Sequence, residues 1–244
     1  MPIARFNLKR QAAFCYNRRM DTSPGVSPFT KIVVLGMFLS AAAGCARFPE
    51  GQTVKVVKEL SIEIVFNGSI NDDFFYFMPI DIEGGGTGPT PLFPGGTPGQ
   101  PWVTGSATHY VQFHQGQYTL HRILSLDPFQ FQPIGAPISS TPPQDGTLSF
   151  TIDLDDLGIT ADSIDINFIA VDFPFEQTRV LDALGPAGTQ ILNVDVTIDR
   201  TITNTDLGDL EIPDDLLDEN GNREPTSDRT RPLDIVDWSV TVDI

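Results

Sequence analysis

Asp214, Asp215, Asp218, Asn220, Asn222 and Glu224 are the residues whose types and spacing come nearest to chemistry in this chain. Within them, Asp218-Glu-Asn-Gly-Asn-Arg-Glu224 sets carboxylate and amide oxygens at alternate positions around a glycine turn. Hard cations take such ligands, and calcium is the ion this donor set would hold. The run departs from the twelve-residue calcium-loop pattern: glycine stands fourth rather than sixth, and Arg229 takes the place of the closing glutamate. It reads either as a calcium loop of another type or as a solvated acidic turn. A second group is aromatic. Trp102, Tyr110, His121 and Phe129, with Phe131, flank a stretch rich in Gly and Pro. Flat rings beside amides and carboxylates could hold a sugar, and the same rings could equally pack beneath a long loop.

Other chemistry is missing. No Gly-x-Ser-x-Gly, His-Glu-x-x-His or Gly-x-x-x-x-Gly-Lys motif occurs, so no catalytic residue is assigned. Of the three histidines, His109 and His114 are an odd number apart on one expected strand and point to opposite faces. His114 and His121 fall at opposite ends of the same hairpin, which argues against a shared metal.

Composition sets where such residues could work. Residues Ile32 to Ala43 form an apolar run of twelve, preceded by Arg5, Lys9, Arg10, Arg18, Arg19 and Lys31. A helix of that length falls short of the ~30 Å hydrocarbon core of a bilayer. The pattern is that of a secretory leader, and Ala43-Gly44-Cys45 resembles the lipobox of bacterial lipoproteins. That resemblance implies acylation of Cys45, cleavage before it, and a protein tied to the cell envelope by a lipid, at the outer membrane where two membranes exist. The expected organisation is a signal peptide over 1–44, a lipidated tether over 45–52 and a single domain over 53–244. Cleavage would leave 200 residues with nine of the 15 bases and 31 of the 32 acids, a net charge of −22. A surface of that sign opposes binding to nucleic acid. With Cys15 in the leader and Cys45 acylated, no thiol remains for a disulfide or for thiol chemistry.

The elements that must position these residues are strands. Leu60, Ile62, Ile64 and Phe66 alternate with less apolar residues up to an Asn67-Gly68 turn. Phe74 to Ile82 is apolar on both faces, and Pro79 within it points to an edge or a bulge. Residues 83–101 hold seven Gly and five Pro and read as a long loop. Thr108–His114 and Gln117–Leu124 form a hairpin about Gln115-Gly116, with Val111 and Phe113 on an apolar face and Tyr110 and His121 on a polar one. Residues 127–145 read as a Pro-rich connection. Further alternation marks strands over 148–154 and 164–170, one long strand over 192–202, and a last strand over 236–244. Residues 176–184 read as a short helical turn. The fold class expected is all-β: an antiparallel β-sandwich of about 7–9 strands after the lipoprotein signal peptide.

The aromatic strand Phe74-Phe-Tyr-Phe-Met-Pro-Ile-Asp-Ile-Glu83 ahead of a long loop resembles the β-sandwich domains of the carbohydrate-binding family 9 and DOMON type. That likeness implies a sugar or haem ligand and carries no site residue across. The expected function is a lipid-anchored, non-enzymatic binding or surface-structural module outside the cytoplasm, with a glycan or another envelope component as its partner. The alternatives are a hydrolase acting on polysaccharide and a calcium-dependent envelope adhesion protein.

Overall fold

Fifteen strands, most of them short, make up the fold of the computed structural model, which describes residues 57–84, 86–93, 102–174 and 179–244. All described residues belong to one unit, Lys55–Ile244. The leader, Cys45 and the tether lie outside the described residues. Among those described, no helix is long and apolar enough to cross a membrane.

One sheet has five strands. β1 (Glu59–Phe66) lies between β15 (Ile235–Asp243) and β9 (Thr147–Asp153), β14 (Arg200–Thr203) flanks β15, and β8 (Ser139–Gln144) flanks β9. Period-2 alternation puts Leu60, Ile62 and Ile64 on the inner face, with Trp238, Val240 and Val242 of β15 and Leu148, Phe150 and Ile152 of β9. The outer face carries hydroxyl pairs, Ser61 with Thr151 at 2.9 Å and Thr201 with Thr241 at 3.0 Å.

The opposing sheet is built on β2 (Phe75–Asp81), β5 (His109–His114), β6 (Gln117–Leu126) and β7 (Phe129–Gly135), with β11 (Ile169–Val171) and β12 (Leu181–Ala183) continuing beyond β2. β10 (Ser163–Ile166) also pairs with β2, and β13 (Leu192–Asp195) pairs with β10. Tyr76, Met78 and Ile80 face the first sheet. The two meet through edge and tilted ring contacts: Phe66 with Tyr76 at 5.0 Å, Tyr118 with Phe150 at 5.3 Å, and Phe168 with Trp238 at 5.9 Å. The architecture is the expected all-β antiparallel sandwich, with fifteen strands among the described residues rather than the expected 7–9, because several strands are short pieces. The hairpin register also agrees, pairing Val111 with Leu120 and Phe113 with Tyr118.

Several local readings change. Pro79 is not at an edge, because β2 pairs on both sides. Its missing N–H faces the break between β10 and β11, where no ladder bond is needed, and the Pro79 carbonyl accepts from the Asn167 amide at 3.2 Å. Asn167 fills that break wholly buried. Its Nδ2 donates to the carbonyls of Pro89 and Gln190, both at 2.9 Å, and its Oδ1 accepts from Leu184 N at 3.1 Å. The Pro-rich connection is two edge strands, β7 and β8, one in each sheet, where prolines leave few ladder bonds unmade. The long strand over 192–202 is split, since Asp195 Oδ1 accepts from Thr197 N at 2.8 Å and turns the chain from β13 to β14 in the other sheet. Residues 181–183 are strand rather than helical turn. Within residues 83–101, Pro89–Pro91 (β3) pairs with Val103–Gly105 (β4). Gly105 is obligatory there: at φ 81° a Cβ would sit 1.9 Å from the Gly88 carbonyl oxygen.

His109 gives the fold a pH dependence. It is 3 % exposed, and burial together with the Arg122 charge lowers its pKa from 6.5 to about 4. Between those values the unfolded chain binds a proton that the native state does not, so stability falls as pH drops through that window. His109→Gln should flatten this loss by on the order of 2–3 kcal/mol between pH 7 and pH 4. Urea unfolding at a series of pH values measures it, and parallel profiles for parent and variant would contradict the assignment.

Candidate metal centre

Three carboxylates far apart in sequence meet at one place. Asp182 stands in the middle of β12, Asp215 precedes the buried pair Leu216 and Leu217, and Asp234 ends a short 3-10 turn (Arg231–Leu233) just before β15. Asp182 and Asp234 lie between buried apolar neighbours, and Asp215 is followed by two, which pull the backbone into the core. Leu181 and Leu217 exchange two backbone hydrogen bonds, at 3.0 and 2.8 Å, and this bridge carries the 215 segment alongside β12. One oxygen from each carboxylate lies within 4.8 Å of the other two, and the side chains are 1 %, 2 % and 0 % exposed, respectively. Glu211, also buried, stands close enough for its charge to act on Asp182.

The carboxylates are held as acceptors. Asp182 takes Ala183 N at 2.9 Å on Oδ1 and Ile235 N at 2.7 Å on Oδ2. Asp234 takes Asp214 N at 3.0 and 3.1 Å on its two oxygens and Asn67 Nδ2 at 2.7 Å. Glu211 accepts from Gly185 N at 2.7 Å through Oε1, while its Oε2 is buried without a partner. Neither oxygen of Asp215 receives an aligned hydrogen bond, although the amides of Asp215 itself and Ile212 favour its charged form. Burial and mutual repulsion oppose charge throughout. Glu211 is pushed up to about 8, chiefly by burial, and Asp215 to about 6 by burial and the Asp234 charge. Asp182 is raised well above the ordinary carboxylate range by burial, then by Glu211 and Asp215. Burial also raises Asp234 against its hydrogen bonds. A site of this kind can share protons or hold a hard cation.

Of the expected metal ligands, only Asp215 enters this cluster. Asp214 is exposed, and its carbonyl accepts from Arg223 Nε at 2.9 Å and Nη2 at 2.6 Å. The Asp218 carboxylate closes its own turn, taking the amides of Asn220 and Asn222 on Oδ1, both at 2.8 Å, and Asn222 Nδ2 on Oδ2 at 3.2 Å. Gly221, at φ 75°, completes that turn, and Asn220 and Asn222 are exposed. The oxygens of Asp218 are thus engaged within the turn itself. Asp218 and Glu224 instead line a surface groove of about 310 Å³ that mixes Asp172 and Glu219 with Arg179 and Arg229. The sequence reading missed Asp182, Glu211 and Asp234. A signal was there, in acids embedded in Leu181-Asp-Ala-Leu184 and Leu233-Asp-Ile-Val236.

The four expected ligand-binding residues do come together, but as packing. Trp102 stacks on Phe77 at 3.8 Å and meets Tyr110 edge-on at 5.3 Å, and Tyr110 stacks on His121 at 4.5 Å. Trp102, Tyr110 and His121 are buried and Phe129 is half-buried, so the hairpin face expected to be polar is a second small core. The open sugar-binding face is not formed by these residues. His114 stands apart from the other two histidines, stacked on Phe75 at 3.8 Å. No protein-family model, curated protein or solved structure matches this chain, so its own geometry is what a functional reading has to rest on.

Proposed function

We propose that this chain is a lipid-anchored, extracytoplasmic β-sandwich that serves a bacterial envelope as a non-enzymatic binding or surface-structural module. The observation that carries the non-enzymatic reading is the sealing of Asp182, Glu211, Asp215 and Asp234, none of them more than 2 % exposed. A glycosidase needs two carboxylates flanking a bound sugar, and no sugar reaches these. Asp172, whose pKa is also raised by burial, has its Oδ1 engaged by the Phe173 and Val180 amides at 2.8 and 2.9 Å. The anchoring part of the proposal rests on Ala43-Gly44-Cys45 after the apolar run. With the Trp102–Tyr110–His121 rings packed away, a structural role has more support than carbohydrate binding.

Cys45→Ser tests the anchor. In a bacterial host labelled with a fatty-acid analogue, the parent should incorporate label and the variant should accumulate as unlabelled, unprocessed precursor. Undiminished labelling of the variant would overturn the assignment.

A further inference from the structure

We propose that Asp182, Asp215 and Asp234 form a buried calcium site that ties β12, the 211–217 segment and the start of β15 together. The acidic cluster is not the whole argument. Asp215 is 2 % exposed, contributes an oxygen to the cluster, and has no aligned hydrogen bond on either oxygen. A buried carboxylate left that way is costly unless an ion completes it. The Arg223 guanidinium does lower its pKa, but acts from the surface, where it is bonded to the Asp214 carbonyl.

Distances and donor type select the ion. Calcium sits about 2.3–2.6 Å from each oxygen, so its ligands must lie within roughly 5 Å of one another. The three oxygens meet that limit at 4.8 Å. The amides on Asp182 and Asp234 fix the carboxylates in place, and every oxygen except Asp234 Oδ2, which takes both Asp214 N and Asn67 Nδ2, keeps a second lone pair for a cation. Five of the six carboxylate oxygens are thus open to an ion, and a backbone carbonyl or a single water would complete the six that calcium takes at least. Magnesium retains water in a strict octahedron, which a site this enclosed does not favour. Zinc prefers nitrogen and sulfur donors that the cluster lacks.

The test uses the full chain purified in detergent, stripped with a chelator and dialysed. Equilibrium dialysis should find one calcium bound per chain. At about a hundredfold excess over Kd the melting temperature should rise by roughly 5–10 °C. Magnesium should do less, and sodium chloride of matched ionic strength should reproduce little of the rise. Asp215→Asn keeps the side-chain shape and removes one charge. It should weaken calcium binding at least tenfold while melting no lower than the parent in chelator, because repulsion is relieved. Asp218→Ala combined with Asn220→Ala should keep the full response. No bound calcium by dialysis, a rise equalled by sodium chloride, an unchanged response in Asp215→Asn, or loss of the response in the Asp218/Asn220 pair would each overturn the proposal. Dialysis on the parent decides the matter even where a variant fails to fold.

Discussion

Deletion of residues 235 to 244 should leave a chain that shows no cooperative melting transition. β15 is an interior strand, hydrogen-bonded to β1 on one side and β14 on the other, and its loss exposes the inner faces of both. A single substitution measures the same face. Trp238 is 2 % exposed and packs against Phe168, so Trp238→Ala should cost about 3–5 kcal/mol. Trp238→Phe should cost far less, because the Trp238 Nε1 is buried without an acceptor and its removal leaves nothing unpaired. Urea unfolding gives both values. A truncated chain melting at the parental temperature would mean the strand is a free tail.

The second large effect is expected at Asn167. Its side chain satisfies two carbonyls and one amide, from Pro89 and from the two ends of the 184–190 loop, at the place where β10 and β11 part company. Asn167→Leu approximates the volume, strands the Pro89 carbonyl and Leu184 N in the core, and removes the partner of the Gln190 carbonyl at its margin. Each unsatisfied buried group costs about 1–3 kcal/mol, so a loss of roughly 3–5 kcal/mol should follow even with some relaxation. Asn167→Asp should retain the acceptor for Leu184 N and face two carbonyls with a carboxylate, and should be no better. A measured loss below about 0.5 kcal/mol for Asn167→Leu, the range of ordinary surface changes, would show that water or a local shift replaces these bonds.

The elements read correctly from sequence are those whose pattern and environment agree. Leu60 to Phe66 and Val236 to Val242 alternate because one face is core, while the other carries Ser61, Glu63 and Val65 in the first and Asp237, Ser239 and Thr241 in the last. The β5–β6 register follows from the Gln115-Gly116 turn, both residues of which adopt positive φ. β7 and β8 were hidden because Pro133, Pro142 and Pro143 sit where strands are edges, a fact only the topology supplies. The β13–β14 break was hidden because the apolar alternation in the sequence runs on through Val194, Val196, Ile198 and Ile202, although Ile198 is exposed at the turn and burial resumes only at Ile202. The candidate site was legible at one residue in three. Spacing can suggest ligands within a loop, as it did for Asp218 to Glu224, but not carboxylates from 182, 215 and 234. Those meet only once β12, β15 and the Leu181–Leu217 bridge are in place.

The pairing of β1 with β15 also governs when the molecule can exist. Glu59 lies opposite Asp243, and Asn67 bonds to Asp234, 167 residues further on. At about 5–20 residues per second, a ribosome needs roughly 10–40 s between making the first of these strands and the last. Throughout that interval β1 lacks a neighbour, and the five-stranded sheet is divided where its centre should be. Contacts this distant also close slowly once both partners are present. The five-stranded sheet therefore cannot be completed until the last strand of the chain has been made.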